Sequence, residues 1–284
     1  MAQTTDSPLV SAEWLAERLG TPDLVILDAT FFLPNQPRNA REDYLQAHIP
    51  GAHFFDIDTV ADHATDLPHM LPSAAAFAEA AGKLGIENFT TVVVYDHNHF
   101  MASARAWWMF RSFDHDHVRV LDGGLARWQT LGLPTRSGPE AARSLTFTAV
   151  QRPGLVRSLT DLREALGRPE TQIVDARPLA RFAGREPEPR PGLRAGHIPG
   201  SRSLFFKRLI DEASGCLKPE TDLRKAFIDA GIDPDRPVVT TCGSGVTAAI
   251  LALGLYCVGN ESAAVYDGSW AEWGGKSDTP VETD

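Results

Sequence analysis

The chain has 284 residues, of which 27 are basic and 37 acidic, and its formal charge of −10 argues against nucleic acid or an anionic membrane as the main partner. No uninterrupted apolar stretch reaches bilayer-spanning length, and the start, MAQTTDSPLV, lacks the basic and apolar regions of a secretory signal. The cysteines at positions 216, 242 and 257 form no close pair, so neither a disulfide framework nor a zinc site is expected, and the predicted location is the cytoplasm.

The predicted elements belong to a unit that occurs twice. VSAEWLAERLGTPDLVILDAT near the start parallels RSLTDLREALGRPETQIVDAR at a constant offset of 147 residues. AHIPGAHFF at 47–55 then returns as GHIPGSRSLFF at 196–206, and LDGGLARW at 121–128 returns as YDGSWAEW at 266–273. Because these landmarks keep their order, we predict a duplicated domain. The predicted N-terminal domain covers residues 1–138, the linker 139–156 and the C-terminal domain 157–284.

Each copy predicts the same alternation of helices and strands. In the first copy, Ser11 can cap an amphipathic helix that Gly20 ends, and the strands LVILDA and TVVVYD follow. In the second copy, TQIVDA and PVVTTC are the matching strands. Continuous apolar strands that alternate with helices indicate an α/β fold, with a mainly parallel sheet that has helices on both faces.

The last strand of the second copy ends in a cysteine, Cys242. The same place in the first copy is Asp96, in VVVYDHNHF. A cysteine kept for packing should be matched by another small apolar residue, and a carboxylate is not one. Both positions are therefore expected at an accessible strand end, where open α/β sheets bind ligands, and only the second copy carries a nucleophile there.

The sequence after Cys242 favours an ionised sulfur. Glycines in GSGVT let successive N–H groups turn inward, and a helix predicted through about Leu255 adds the positive end of its dipole. Both features stabilise a sulfur anion, which is the nucleophilic form of cysteine. An ordinary glycine-rich turn remains the alternative. Cysteine phosphatases use a similar loop but need an arginine six residues after the nucleophile, where this chain has Ala248.

The segments CGSGVTA, the doubled HIPG and the paired DGG/DGS…W resemble tandem-domain rhodanese-type sulfurtransferases, and most closely the 3-mercaptopyruvate sulfurtransferase family. CGSGVTA discriminates within this group, because thiosulfate sulfurtransferases typically carry basic residues just after the cysteine. The resemblance implies two rhodanese-like domains, of which only the second is catalytic. It further implies that sulfur passes from 3-mercaptopyruvate, through a persulfide, to a thiol acceptor such as thioredoxin, or to cyanide, with release of pyruvate. No cofactor or metal is expected, and the protein is expected to be a monomer.

The resemblance also assigns roles to individual positions. The substrate arginines of the family fall in RFAGREPEPR, where two guanidinium groups suit the carboxylate and keto oxygen of a small keto acid. A Ser-His-Asp relay of the family falls on the cysteine loop and on FFDIDTVADHATDLPHMLP. The predicted catalytic residues are Cys242, Ser244, His69 and Asp58, and the predicted substrate-binding residues are Arg181, Arg190, Gly243, Gly245, Val246 and Thr247.

Three other functions remain open at this point. They are a thiosulfate sulfurtransferase, a cysteine phosphatase or arsenate reductase, and a non-catalytic rhodanese-like module that binds or senses sulfur. Ala248 argues against a phosphatase or arsenate reductase. A comparison of thiosulfate with mercaptopyruvate turnover would identify a thiosulfate sulfurtransferase.

The remaining histidines and tryptophans are interpreted as structural. The close pairs in DHNHF and FDHDHV lack a supporting ligand cluster, so they are predicted to be loop residues rather than metal ligands. The histidine of HIPG and one tryptophan recur in both copies, including the copy without a thiol, which favours turn and core roles. These residues are His97, His99, His115 and His117 for the pairs, and His48, His197, Trp128 and Trp273 for the recurring positions.

Overall fold

The computed structural model describes residues 7–33, 36–168 and 170–284. The chain divides into two compact units. Unit 1 holds the described residues of Met1–Ala61, Pro72–Arg152 and Asp211–Leu217, and unit 2 holds those of Asp62–Leu71, Pro153–Ile210 and Lys218–Asp284. Each unit thus includes one short segment from the opposite half of the sequence. We call residues 62–71 the His69 arm and residues 211–217 the Cys216 arm.

Unit 1 contains a parallel sheet of five strands in the order β1-β5-β4-β2-β3. Its elements, in chain order, are β1 (Leu9–Val10), α1 (Ala12–Ala16), β2 (Leu24–Asp28), α2 (Ala40–Gln46), β3 (Ala52–Phe54), α3 (Ala74–Lys83), β4 (Thr91–Tyr95), α4 (Ser103–Ser112), β5 (Val118–Leu121) and α5 (Gly124–Thr130). Ser11 caps α1 by accepting a hydrogen bond from the Trp14 N–H, as predicted. The core forms where the apolar side of this helix, through Leu15, meets Trp128 and the strands.

Unit 2 repeats the same sheet, in the order β6-β10-β9-β7-β8 and again with parallel pairs. Its elements are β6 (Val156–Arg157), α6 (Leu159–Ala165), β7 (Gln172–Asp175), α7 (Leu179–Phe182), β8 (Arg202–Ser203), α8 (Glu220–Asp229), β9 (Val238–Thr241), α9 (Ala248–Cys257), β10 (Ala264–Tyr266) and α10 (Ser269–Trp273). The five strands correspond one to one between the units, which confirms the duplication and the α/β fold that the sequence predicts.

The first helix is shorter than predicted. It ends at Ala16 instead of continuing to Gly20, because the Arg18 N–H bonds to the Leu15 carbonyl and tightens the chain into turns. Gly20, with φ +78°, lies in that turn, where a left-handed backbone favours glycine. The predicted linker is not an isolated segment at its start, since Phe147 is buried in unit 1 against Phe77. The exact domain boundaries stay a prediction.

The recurring histidines and tryptophans are structural, as predicted. His48 and His197 are buried, and their Nδ1 atoms lie 2.8 Å from the Tyr44 carbonyl oxygen and 2.9 Å from the Phe182 carbonyl oxygen. Each imidazole also stacks on the ring of the same partner residue. The buried Trp128 and Trp273 donate their indole N–H groups to the carbonyls of Pro134 and Pro280. None of the helices in the described ranges has the length and apolar character needed to cross a membrane.

His115 predicts a pH dependence of stability. It is buried beside Phe110 and Phe147, and burial, followed by the nearby His117, lowers its pKa from the ordinary 6.5 to about 4. Because the unfolded chain binds the proton more tightly, the stabilising contribution is complete above pH 6.5 and is lost as the pH falls toward 4. We expect His115→Asn to remove about 2 kcal/mol of the acid-induced loss of unfolding free energy. Urea unfolding at several pH values measures it.

The exposed neighbour His117 provides the matched control. His117→Asn removes only the smaller cause of the lowered pKa of His115, so most of the pH dependence of stability should remain. If His115→Asn also leaves it unchanged, His115 is not the group that titrates.

Candidate active site

Cys242 directly follows β9, the central strand of the unit 2 sheet. All four residues of that strand are buried, so the position of its end is fixed by packing. The loop of residues 243–247 then leads into α9, in which Ala248 to Leu255 are buried. Gly245 has a φ of +76°, a left-handed conformation that lets the loop curl back over the strand end. The predicted strand, loop and helix are confirmed.

The loop offers donors for an anion. Within the part of the chain that the structure describes, the backbone N–H groups of Gly243, Ser244, Val246 and Thr247 donate no hydrogen bond to another residue. Thr247, the N-cap of α9, contributes no capping side chain, so the first N–H groups of this ten-residue helix are not covered by a cap. Unsatisfied amides at a helix N-terminus favour a negatively charged partner. The loop is therefore suited to surround a sulfur anion.

The first repeat shows what this loop geometry binds. The Asp96 carboxylate, at the position of Cys242, accepts hydrogen bonds of 2.9–3.1 Å from the N–H groups of Asn98, Phe100, Ala102 and Ser103. The loop of unit 1 thus surrounds an anion supplied by its own strand end. The loop of unit 2 has no acidic side chain at that position, and a charged sulfur at Cys242 would take the same place.

The exposure predicted for both strand ends is wrong. Cys242 is only 2% exposed, and Asp96 is buried as well. The reason for Cys242 is that the turn after β10 covers it: Ser269 Oγ accepts from the Cys242 N–H at 3.1 Å, and the Trp270 N–H donates to the Cys242 carbonyl at 2.9 Å. Gly243 beside it is half-buried. The backbone of Cys242 is therefore held by hydrogen bonds at both its amide and its carbonyl.

Arg181, one of the predicted substrate arginines, lies against the cysteine loop. A Cβ atom at position 243 would be 3.3 Å from the Arg181 Nη2 atom, so glycine leaves the room that the guanidinium occupies. Arg181 is carried by α7 and is half-buried. Its side chain pairs with the carboxylate of Glu188, which is 2% exposed. The chain thus places a guanidinium group beside the residue that follows the cysteine, which suits a small anionic substrate.

Glu188 belongs to a buried chain of charges that orients Arg181. Its Oε1 also accepts from Arg177 Nη1 at 2.7 Å, and Arg177 in turn forms a bidentate pair with Asp175 and lies over the Trp270 ring. Burial lowers the pKa of Arg177, but the carboxylates of Asp175 and Glu188 outweigh this and the net shift is upward. Two carboxylates and two guanidinium groups in contact fix one another's geometry.

Removing the charge of Glu188 should weaken substrate binding more than turnover. In Glu188→Gln the guanidinium group of Arg181 loses its charged partner, so we expect KM for the substrate that the resemblance implies, 3-mercaptopyruvate, to rise about tenfold while kcat changes less. Steady-state kinetics measures both constants. The exposed Glu186, two residues earlier, provides the control, because Glu186→Gln should change neither. An unchanged KM in Glu188→Gln would contradict the orienting role.

His69 and Arg190 are brought together in unit 2. The His69 arm belongs to this unit, and His69 Nε2 lies 3.5 Å from Arg190 Nη2. His69 is buried and has a φ of +60°, a strained conformation for a residue other than glycine. The corresponding position of the Cys216 arm is Gly215, with φ +71°. Both units therefore have a left-handed backbone at this position, which favours glycine, and unit 2 places a histidine there.

Two further predicted site residues lie in different units. Asp58 is exposed and belongs to unit 1, where its N–H bonds to Asp56. Ser244 is buried in the cysteine loop. The role of each in a relay stays a prediction, as do the roles of Gly243, Gly245, Val246 and Thr247 in binding substrate.

The structure also shows the surroundings of one of the paired histidines and of Cys257. His97 Nε2 lies 3.0 Å from the Asp28 carboxylate, and Cys257 is the last residue of α9. No group of three or more His, Cys, Asp or Glu side chains among the described residues is arranged to hold a metal ion.

Comparison with known proteins shows the family of this chain. The rhodanese-like domain family matches residues 11–131 and again 158–276. A 3-mercaptopyruvate sulfurtransferase of Escherichia coli K12 is 43% identical over 96% of this chain and 97% of its own length. The chain belongs to the 3-mercaptopyruvate sulfurtransferase family. The predicted family is therefore confirmed.

Two further members of the wider group agree. A mitochondrial protein of Arabidopsis thaliana, named thiosulfate/3-mercaptopyruvate sulfurtransferase 1, is 42% identical over 99% of this chain and 79% of its own length. The crystal structure of SseA from Escherichia coli, described as a 3-mercaptopyruvate sulfotransferase with the rhodanese fold, superposes with a TM-score of 0.85. It is 40% identical and covers 93% of this chain and 99% of its own. The predicted fold of two rhodanese-like domains is confirmed.

Three contributors to the site were missed by the sequence analysis: Glu188, Ser269 and Asp267, whose carboxylate accepts the N–H of Leu71 on the His69 arm. Glu188 stands inside the quoted arginine segment, but an exposed glutamate and a buried one look alike in sequence. Asp267 and Ser269 stand inside the YDGSW segment, which indicates the repeat and the family resemblance but assigns no role to either residue. The exchange of DGG for DGS between copies was the available signal.

Proposed function

We propose that this chain transfers sulfur from 3-mercaptopyruvate to a thiol acceptor or cyanide through a persulfide on Cys242. The observation that carries the proposal is a cysteine at the start of a loop with unpaired amides, with the Arg181 guanidinium against it. The sulfurtransferase names of the relatives agree with this activity. The loop amides and the helix N-terminus are suited to contact a sulfur anion, which is the nucleophilic form of cysteine.

In the first step the thiolate of Cys242 attacks the sulfur of 3-mercaptopyruvate. A sulfur–sulfur bond forms while the carbon–sulfur bond breaks, and the electron pair of the broken bond stays on carbon as pyruvate enolate. The enolate carbon then takes up one proton to give pyruvate. We assign that proton delivery to Ser244, supported by His69 and Asp58.

In the second step the persulfide gives up its outer sulfur. A thiolate acceptor, for example that of thioredoxin, forms a new persulfide and leaves Cys242 as thiolate, and cyanide leaves as thiocyanate. The unpaired amides of the loop stabilise the anionic sulfur in both steps. The transferred sulfur passes to the acceptor without a further oxidant or reductant, so we propose that no cofactor takes part.

The substrate is held by charge. Arg181 and Arg190 bind the carboxylate and keto oxygen of mercaptopyruvate, and residues Gly243, Gly245, Val246 and Thr247 form the floor of its site. With a net charge of −10 on the chain, an anionic substrate needs such local cations. The buried network behind Arg181 provides one in a fixed orientation.

We further propose a monomer that works in the cytoplasm, with an N-terminal domain over residues 1–138 and a catalytic domain over 157–284. The free cysteines at 216, 242 and 257 suit a reducing compartment. The mitochondrial name of the Arabidopsis relative shows that the compartment varies among relatives.

The choice of sulfur donor tests the proposal. Thiosulfate is the second candidate, because the Arabidopsis relative is named for both donors. We expect kcat/KM with mercaptopyruvate to exceed that with thiosulfate, since Arg181 and Arg190 suit a carboxylate beside a keto group. The measurement is turnover of each donor with cyanide as acceptor. A preference for thiosulfate would support the second candidate, and efficient hydrolysis of an aryl phosphate would favour phosphatase chemistry.

A further inference from the structure

The turn of residues 266–270, which runs from the last residue of β10 into the start of α10, contacts the backbone of Cys242 on both sides. Ser269 Oγ accepts the Cys242 N–H at 3.1 Å and donates to the Tyr266 carbonyl at 2.8 Å. The Trp270 N–H donates to the Cys242 carbonyl at 2.9 Å, and the next N–H, of Ala271, donates to the Gly243 carbonyl at 2.8 Å. The backbone that carries the thiol is therefore held at its amide and its carbonyl by one turn.

The same turn holds the segment that carries His69. Asp267 Oδ2 accepts the N–H of Leu71 at 2.7 Å, and Leu71 lies two residues after His69. Asp267 is buried, so this bond to the His69 arm is shielded from water and strong for its type. Both the cysteine loop and the His69 arm thus take their positions from neighbouring residues, Asp267 and Ser269.

We propose that the turn of residues 266–270 is the positioning element of the site, in which Ser269 fixes the backbone of Cys242 and Asp267 fixes the arm that presents His69. The proposal rests on the proposed function, because it assigns the roles of Cys242 and His69 as described there. We assign Ser269 and Asp267 a positioning role and not a catalytic one. They act through the residues that they hold.

The other repeat shows which part of this arrangement belongs to the fold. In unit 1, Asp122 accepts the N–H of Leu217, on the Cys216 arm, at 2.8 Å. The arm contact is therefore common to both units. The equivalent of Ser269 in unit 1 is Gly124, and both residues are left-handed, with φ of +49° and +54°. The fold needs a left-handed residue at this position, and unit 2 alone places a hydroxyl there.

The strain at Ser269 points to a function for its hydroxyl. A left-handed serine is less favourable than glycine, and the matching glycine in unit 1 shows that the turn forms without a side chain. Ser269 is fully buried, and its hydroxyl serves the Cys242 amide. Unit 2 thus keeps a strained serine whose hydroxyl holds the backbone of the nucleophile, as expected of a residue that positions Cys242.

The first experiment replaces Ser269 by the residue that unit 1 uses. Ser269→Gly relieves the strained φ while it removes the hydroxyl, so we expect a melting temperature within about 4 °C of wild type. We expect the single-turnover rate of persulfide formation from mercaptopyruvate to fall about tenfold with little change in KM. Ser269→Ala, which keeps the strain, should show the same loss of rate together with a lower melting temperature.

The second experiment uses Asp122 as the matched control for Asp267. Asp267→Asn and Asp122→Asn weaken equivalent hydrogen bonds in the two units, so both should lower the melting temperature by a similar amount. Only Asp267→Asn should slow persulfide formation and shift its pH profile, because only that arm carries His69.

Two outcomes would overturn the proposal. One is an unchanged rate of persulfide formation in Ser269→Gly and Asp267→Asn. The other is an equal loss of rate in Asp267→Asn and Asp122→Asn, which would mean that general destabilisation slows the enzyme. Failure of the proposed function is distinguishable, because the wild-type protein would then form no persulfide from mercaptopyruvate at all.

Discussion

Replacing Cys242 by serine should abolish sulfur transfer while the protein stays folded. The hydroxyl of serine has nearly the same size, but it is not ionised near neutral pH and cannot form a persulfide. We expect release of pyruvate from mercaptopyruvate to fall by at least about a thousandfold. Pyruvate assays under saturating donor measure the effect, and thermal unfolding checks that the fold is retained.

The other two cysteines are the internal controls. Cys216 lies on the arm of unit 1, where burial, and then the charge of Asp122, raise the pKa of its thiol. Cys257 ends α9. Cys216→Ser and Cys257→Ser should keep wild-type turnover. Wild-type turnover in Cys242→Ser would show that the sulfur is carried elsewhere.

Replacing Arg181 by alanine should cause the second largest loss. A charge-assisted hydrogen bond contributes about 1.5–3 kcal/mol, and Arg181 offers a fork of donors beside the cysteine loop. We therefore expect kcat/KM for mercaptopyruvate to fall about a hundredfold, mainly through a rise in KM. Arg181→Lys keeps the charge but loses the fork, so its loss should be intermediate. Steady-state kinetics of the three proteins measures the series.

Arg185 provides the control for charge alone. It lies in the same segment as Arg181 but is exposed. Arg185→Ala should therefore alter kcat/KM by less than about twofold. An equal loss in both variants would indicate that the net charge of the segment matters, rather than the placement of one guanidinium group.

The fold could be predicted from the sequence because the sequence contains two copies of the same unit. Two copies of helix, apolar strand and turn, with the landmarks in one order, constrain the fold more than a single copy does. The position of Cys242 followed from the same repeat, since a strand predicted to end at 242 ends at Thr241. The spacing of apolar residues, about two for strands and three to four for helices, can be read from the sequence and indicates which side of each element packs in the core.

The site could be predicted only in part, because its contacts join residues far apart in sequence. The bonds from Asp267 to Leu71 and from Arg190 to His69 cross more than a hundred residues, as their sequence separations of 196 and 121 show. Nothing in the local pattern around residues 62–71 predicts that this segment packs in unit 2. The family resemblance assigned a role to His69, but only the structure shows that Arg190 lies beside it.

Burial was the feature that the sequence predicted least well. A cysteine at the end of a strand was expected to be accessible, yet Cys242 is 2% exposed because the turn after β10 covers it. The same turn supplies its hydrogen bonds. Burial strengthens the electrostatic effect of the loop amides on an anion, so it is compatible with a reactive sulfur.

The most direct test of the account is intact-protein mass spectrometry after addition of mercaptopyruvate without an acceptor, with pyruvate measured in the same sample. The account predicts a gain in mass of one sulfur atom, located on Cys242 by peptide mapping and matched by one pyruvate per chain. Pyruvate formed without sulfur on Cys242, or an unmodified protein that forms none, would contradict it.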